Sequence, residues 1–386
     1  MNNETRKETQ VLPKDVRYVG ADDLTLPLFE NQYPVQPMGV SYNSYLILDE
    51  KIAVMDSVDA RAADEWLAKL AHELDGRSPD YLVISHMEPD HSGSILRLAE
   101  KYQEMKLVGN TKTFTMLRQF FGAKAPTDDR LLEVGEGETL PLGAHTLHFM
   151  LAPMVHWPEV MVAYEETEKI LFSADAFGRF GALSRTAAAP WAPQARRYYY
   201  NIVGKYGAQV QALLKKASAL EIETICPLHG PVLTGGALAE ALRLYDLWSR
   251  WQSEAPEEIL LAHASIHGNT ARAAELFKQK LEAAGARVTL CDLTTTEVSY
   301  AVANAFYCGK LVLACSTYDG GLFPPMEEFL SHLQAKGFRD RSVGLMENGS
   351  WAPAAARLMR AKLEEMKDLR VCGTVVSLRS ALSPAS

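Results

Sequence analysis

The sequence is short of cysteine, of basic excess and of long apolar runs, and each shortage removes a class of function. Its five cysteines (Cys226, Cys291, Cys308, Cys315 and Cys372) are scattered over 386 residues without a Cys-x-x-Cys pair. That pattern argues against a zinc ribbon, a rubredoxin-type centre or an iron–sulfur cluster, and fits packed free thiols in a reducing compartment. Lys and Arg number 39 against 48 Asp and Glu, a net charge of −9. Nucleic acid and anionic membranes reward clustered basic residues, so neither is an expected partner; small molecules and other proteins are. No uncharged apolar run is long enough to span a membrane, and the start MNNETRKETQ lacks the apolar segment of a secretory signal. The expected location is cytoplasmic.

What is there divides into two halves. A chain of 386 residues exceeds what one hydrophobic core usually serves. From about Tyr42 to Pro231, short apolar strands (SYLILD, IAVMDS, YLVISH, LHFMLA, VMVAYE, ILFSAD) alternate with turns and amphipathic helices, and several strands end in a titratable residue. One helix, RAADEWLAKLAHEL, sets Trp66, Leu67, Leu70 and Leu74 on one face; another runs from Gly93 through ILRLAEKY. The stretch LWSRWQSEAP closes a helix and introduces a proline, which places a boundary between residues 1–254 and 255–386. Beyond it, five strands (ILLAHAS, ARVTLCDL, KLVLACS, RSVGLME, RVCGTVVS) alternate with helices, the pattern of an open, doubly wound parallel α/β sheet whose ligands sit at the carboxyl ends of strands.

In the first half, four potential metal ligands stand within six residues directly after a strand: His86, Glu88, Asp90 and His91. In a turning loop alternate residues point the same way, so His86, Glu88 and Asp90 can face one centre while His91 turns to a second. His156 in PMVHWPE, Asp175 in FSADAFG and His229 in CPLHGP follow other strands. Each histidine alone is more often a hydrogen-bonded surface or core residue, but so many ionisable groups beside a buried strand end are costly without a cation. Four imidazoles and three carboxylates suffice for two metals sharing a bridging carboxylate. His72, His145, His148 and His332 lack such company, and His263 sits within a strand where packing explains it.

In the second half, three loops follow three strands. Ser265-Ile266-His267-Gly268-Asn269-Thr270 runs into a helix and offers hydroxyls, a turning glycine and a helix N-terminus, which suit a terminal phosphate; Ser, Gly, Asn and Thr also make ordinary caps. It is neither a P-loop nor a G-x-G-x-x-G site, so a mononucleotide is favoured. Ser316-Thr317-Tyr318-Asp319-Gly320-Gly321-Leu322-Phe323 adds polar groups and a ring, and Glu347-Asn348-Gly349-Ser350-Trp351-Ala352-Pro353 adds amides and an indole. A wide, flat ring such as isoalloxazine needs such stacking partners and donors.

The motif H-x-E-x-D-H followed by separate H, D and H resembles the metallo-β-lactamase fold in its flavodiiron form, while S-T-Y-D-G-G-L-F-P with E-N-G-S-W-A-P resembles the flavodoxin-like domain of the same family. The resemblance runs from about Tyr42 to Val376 and implies an N-terminal αββα sandwich followed by a flavodoxin-like five-stranded sheet. It implies FMN and two non-haem irons: His86, Glu88 and His156 on one iron, Asp90, His91 and His229 on the other, and Asp175 bridging. In some members a water displaces the residue matching His91. Glu88 stands where hydrolytic, zinc-binding relatives usually carry His, and a carboxylate there suits iron cycling between Fe(II) and Fe(III). The implied activity is reduction of O2 to water, NO to N2O, or both; FMNH2 and two ferrous ions together hold the four electrons that O2 requires. The resemblance also implies a head-to-tail homodimer, with a tetramer as a further option, and a separate donor protein of rubredoxin type, because no such module follows the last strand. Trp157, one of Tyr198 to Tyr200, and Met38 are implied pocket walls. Two alternatives are a zinc hydrolase with an attached flavodoxin relative and an electron carrier with a vestigial metal site.

Overall fold

Short apolar strands that alternate inward and outward residues pair readily into sheets that need covering on both faces. The structure is a computed structural model that describes residues 12–382, so the polar start and the last four residues lie outside it. The chain forms two compact units: one ends at Tyr199 and resumes over Ala208–Asp246, and the other comprises Tyr200–Gly207 and everything from Leu247.

The first unit contains two six-stranded sheets. In chain order the first is made of β1 (Val16–Tyr18), β2 (Tyr45–Ile47), β3 (Ala53–Met55), β4 (Tyr81–Val83), β5 (Lys106–Gly109) and β6 (Leu131–Glu133), paired in that same order. The second comprises β7 (Thr139–Pro141), β8 (Thr146–Leu151), β9 (Met161–Glu165), β10 (Ile170–Phe172), β11 (Thr224–Cys226) and β12 (Leu233–Thr234), again consecutive. One continuous core joins them: Tyr45, Ile47, Ala53, Met55, Val83 and Val108 from the first sheet meet Leu147, Phe149, Met161, Ala163, Ile170 and Phe172 from the second. The alternate residues Leu46, Val54, Leu82 and Leu107 are equally buried, so the first sheet is covered on its outer face too, as an αββα sandwich requires.

Helix α1 (Ala63–Leu74) buries Trp66, Leu70 and Leu74. Leu67, expected on that face, is only half-buried because it lies about 100° around the helix from Trp66. Other helices of this unit include α2 (Pro89–Ser92), α3 (Ile95–Lys101), α4 (Thr111–Phe121) and, later in the chain, α5 (Trp191–Tyr198). No helix among the described residues is long and apolar enough to cross a membrane.

In the second unit, β13 (Ala255–Ala264), β14 (Val288–Asp292), β15 (Cys308–Tyr318), β16 (Ser342–Asn348) and β17 (Arg370–Leu378) form a parallel sheet in the order β14-β13-β15-β16-β17. Helices α6 (Asn269–Ala283), α7 (Val298–Tyr307), α8 (Pro324–Ala335) and α9 (Ala355–Glu364) make the crossovers. The strand order reverses between β13 and β15, which opens a crevice at their carboxyl ends where α/β sheets bind ligands.

Candidate functional site

Four strand ends of the first unit supply the seven metal-ligand candidates. His86 and Glu88 follow β4, His156 lies between β8 and β9, Asp175 follows β10, and His229 follows β11. Alternation holds for His86 and Glu88 but stops at Pro89, the first residue of α2. The helical turn groups Asp90 with His91 rather than with His86 and Glu88, correcting the simple loop reading. Ligand atoms of His86, Glu88, His156 and Asp175 lie within 4.8 Å of one another, as do those of Asp90, His91 and His229.

Asp175 lies between the two groups. Its Oδ2 is 3.0 Å from His156 Nε2 and 3.4 Å from His86 Nε2, while its Oδ1 is 3.2 Å from His91 Nε2 and 3.6 Å from His229 Nε2. Glu88 Oε2 spans His86 Nε2 at 3.2 Å and His156 Nε2 at 3.1 Å. Asp90 Oδ2 lies 3.4 Å from His91 Nε2 and 3.2 Å from His229 Nε2.

The hydrogen bonds on the far sides of the rings test whether metal fits. His229 Nδ1 donates to the Ser41 carbonyl at 2.7 Å, which leaves a lone pair on Nε2 in the neutral ring; that lone pair faces His91 Nε2 at 3.1 Å. His91 Nδ1, both oxygens of Asp90 and Asp175 Oδ1 are buried without a hydrogen-bond partner. Inward lone pairs and orphaned carboxylate oxygens want cations, and the mixed imidazole–carboxylate set suits iron.

The same contacts set the charge that these groups prefer. Burial disfavours charged His156, but hydrogen bonds to Asp175 and Glu88 outweigh it and push the ring up to about 9. His86 and His91 are raised likewise against their burial, His86 chiefly by Glu159 and Glu88 and His91 by Asp90 and Asp175. Glu88 and Asp175 are held below the usual carboxylate range, burial opposing and the neighbouring histidines prevailing.

The surroundings are largely aromatic. Trp157 packs edge-on against His86, centroids 5.3 Å apart. Phe29, Tyr198 and Tyr42 surround His229 at 5.3, 5.6 and 6.1 Å. Of the three tyrosines in RRYYYNI, Tyr198 is thus the one beside the metal ligands; Tyr199 packs on Tyr245 and Tyr200 stacks on Phe306. Met38 is half-buried, and its carbonyl accepts from the Ala182 amide. Sequence reasoning missed Phe29, Ser41, Asp56 and Glu159. Burial raises Asp56 to about 6 against the hydrogen bond from Ser85. Glu159 accepts from His86 Nδ1 at 2.7 Å, and its only local sign is an acid three residues after His156, just before an apolar strand.

The three loops of the second unit follow β13, β15 and β16. Thr270 and Ser316 hydroxyls meet at 2.8 Å across the crevice, and Ser265 Oγ accepts from the Gly268 amide. Gly268 at φ 85° and Gly320 at φ 73° adopt turns that glycine favours, with open space where a Cβ would stand. Thr317 Oγ1 accepts from the Ala354 and Ala355 amides, Asn348 pairs with the Ser380 backbone, and Ser350 bonds the Ser380 hydroxyl. These three side chains therefore shape the loops. Gly349 is tightly held, since a Cβ there would meet Pro353 at 2.6 Å. His267, Asn269 and Asp319 are exposed. Ile266, Tyr318 and Trp351 are among the few large exposed hydrophobics, Trp351 at 88%. Bare apolar surface in all three loops fits a flat ring laid across them.

Comparison with known proteins agrees with both halves. The model of the ODP family beta lactamase matches residues 40–230. The rubredoxin-oxygen oxidoreductase of Megalodesulfovibrio gigas is 27% identical over 356 residues, covering 90% of this chain and 87% of that protein. The crystal structure of the flavodiiron protein from Giardia intestinalis superposes with a TM-score of 0.89 at 25% identity, over 97% of this chain and 92% of that one. The chain belongs to the flavodiiron protein family. The nitric oxide reductase of Moorella thermoacetica is 26% identical to this flavodiiron protein over 362 residues, 91% of this chain and 88% of that one.

Proposed function

We propose that this flavodiiron protein passes electrons from a separate protein donor through FMN to a non-haem di-iron site, where O2 is reduced to water, NO to N2O, or both. The observation that carries this reading is the convergence of four histidine Nε2 atoms and three carboxylates, with one oxygen of Asp175 toward each group. The relatives bearing oxygen oxidoreductase and nitric oxide reductase names match about nine-tenths of the chain. Nothing there favours the hydrolase alternative, and Glu88 in place of an imidazole argues against it.

His86, Glu88 and His156 would hold one iron, Asp90, His91 and His229 the other, with Asp175 bridging. When bound, FMN and the iron pair supply electron transfer and the open positions at which the gas is reduced. The protein's own part is to fix the ligands from four strand ends, to hold His229 by its Nδ1–H on Ser41, and to exclude bulk water with Trp157, Phe29 and Tyr198. Ser265 to Thr270 would hold the FMN phosphate, and Ser316 to Gly320 with Asn348 to Trp351 its ring. We assign residues 1–254 to the di-iron domain and 255–386 to the FMN domain.

We further infer a cytoplasmic head-to-tail homodimer that takes electrons from rubredoxin or a rubredoxin-like carrier. Trp351, 88% exposed, supports the dimer, since an indole so bare fits a flavin and a partner subunit beside it. Metal and flavin analysis of the purified protein is the test. About two irons and one FMN per chain are expected; zinc would favour the hydrolase, and FMN without metal the carrier. A monomer that is fully active would overturn the dimer.

A further inference from the structure

Glu159 is an acidic side chain at the metal cluster that belongs to neither ligand group, because its carboxylate is turned to the outer nitrogen of His86. The side chains of Glu159 and His86 are both fully buried. Glu159 Oε1 lies 2.7 Å from His86 Nδ1 and accepts from the Met87 amide at 2.9 Å. The same residue is anchored from behind: Asn110 Nδ2 donates to its carbonyl at 2.6 Å, and Asn110 Oδ1 caps α4 through the Lys112 and Thr113 amides. A strut thus runs from the start of α4 through Asn110 and Glu159 to the ring of His86. Glu159 Oε2 has no hydrogen-bond partner. A buried carboxylate half satisfied in this way is costly unless positive charge lies near.

We propose that Glu159 is a positioning residue for His86, fixing its ring so that Nε2 faces the metal and strengthening it as a ligand, so that one of the two irons depends on Glu159 and the other does not. This rests on the di-iron reading above. A carboxylate on the far nitrogen of a metal-bound imidazole sets its tautomer and raises its basicity, and loss of such partners typically costs about 10–100-fold in metal affinity. On the second iron's side the outer nitrogens meet no carboxylate: His229 Nδ1 donates to the Ser41 carbonyl, and His91 Nδ1 has no hydrogen-bond partner.

The test uses the full-length, FMN-loaded protein reconstituted with ferrous iron without oxygen. Release to a chelator is followed in wild type, E159Q and E159D, with 57Fe Mössbauer spectra of each. E159Q keeps the shape and an acceptor oxygen but removes the charge; E159D keeps the charge and shortens the reach. Each variant is expected to lose one iron of the pair about 10–100-fold faster than wild type, with E159D less affected, the other iron leaving at the wild-type rate and only one Mössbauer doublet altered. Release at wild-type rates, or equal acceleration of both irons, would overturn the inference while leaving the di-iron reading intact. A wild type that takes up no iron pair would overturn both.

Discussion

Replacing Asp175 with Asn leaves the shape of the site and removes the charge between its halves. Its oxygens lie 3.0 to 3.6 Å from four ring nitrogens, two on either side. At about 3.2 Å and an effective dielectric of ~20, a unit charge pair is worth about 5 kcal/mol gross. If desolvation and reorganisation cancel two-thirds of that, about 1.7 kcal/mol remains on each side, more than the ~1.4 kcal/mol that makes a tenfold change. D175N is therefore expected to bind both irons at least tenfold more weakly, whereas E88Q, which touches only His86 and His156, weakens one. The assay is iron content and chelator release after anaerobic reconstitution, with FMN content as the internal control because its loops belong to the second unit. A D175N protein that keeps two irons at wild-type release rates would refute the bridging role of Asp175.

Three other outcomes follow from the same geometry. Histidines raised in the metal-free protein, His156 to about 9, must lose protons before binding metal; apparent ferrous affinity should therefore climb as pH rises toward 9, with protons released on binding, and a pH-independent affinity would count against those ion pairs. W351A removes an indole that is 88% exposed, so the melting temperature should hardly move while FMN binding weakens about tenfold, the order of one lost ring stack; unchanged flavin affinity by fluorescence titration would remove Trp351 from the site. Asp49 is held down at about 2 despite its burial, by hydrogen bonds from the His145 amide and ring. A depressed carboxylate stabilises the fold above its unfolded pKa near 4 and loses that effect as pH falls through about 2, so the gap in melting temperature between wild type and D49N should be full at pH 6 and close below pH 4; a constant gap would contradict it.

Much of this arrangement is legible in the sequence because its signals are local. His86 to His91 crowd ionisable groups into six residues after a strand, and the strands of the second half show their parallel order through regular alternation with helices. What escapes is long-range or depends on local helical geometry. Glu159 meets His86 across 73 residues and Ser41 meets His229 across 188; the position of Glu159 just before an apolar strand does not say which residue it meets. Pro89 begins a helical turn that ends the alternation expected of a loop, so Asp90 changes sides. The grouping of Tyr200–Gly207 with the second unit likewise has no local mark, because those residues continue a helical stretch of the first.

The central claim, that flavin and iron pair serve one reductase, is tested most directly by turnover. Purified protein loaded with two irons and FMN is given a chemically reduced rubredoxin and either O2 or NO, and gas consumption is measured against donor oxidised. The expected result is catalytic consumption of at least one gas, with about four electrons per O2 or about one per NO, abolished in the D175N protein. Full loading with no turnover of either gas, or turnover undiminished in D175N, would contradict it.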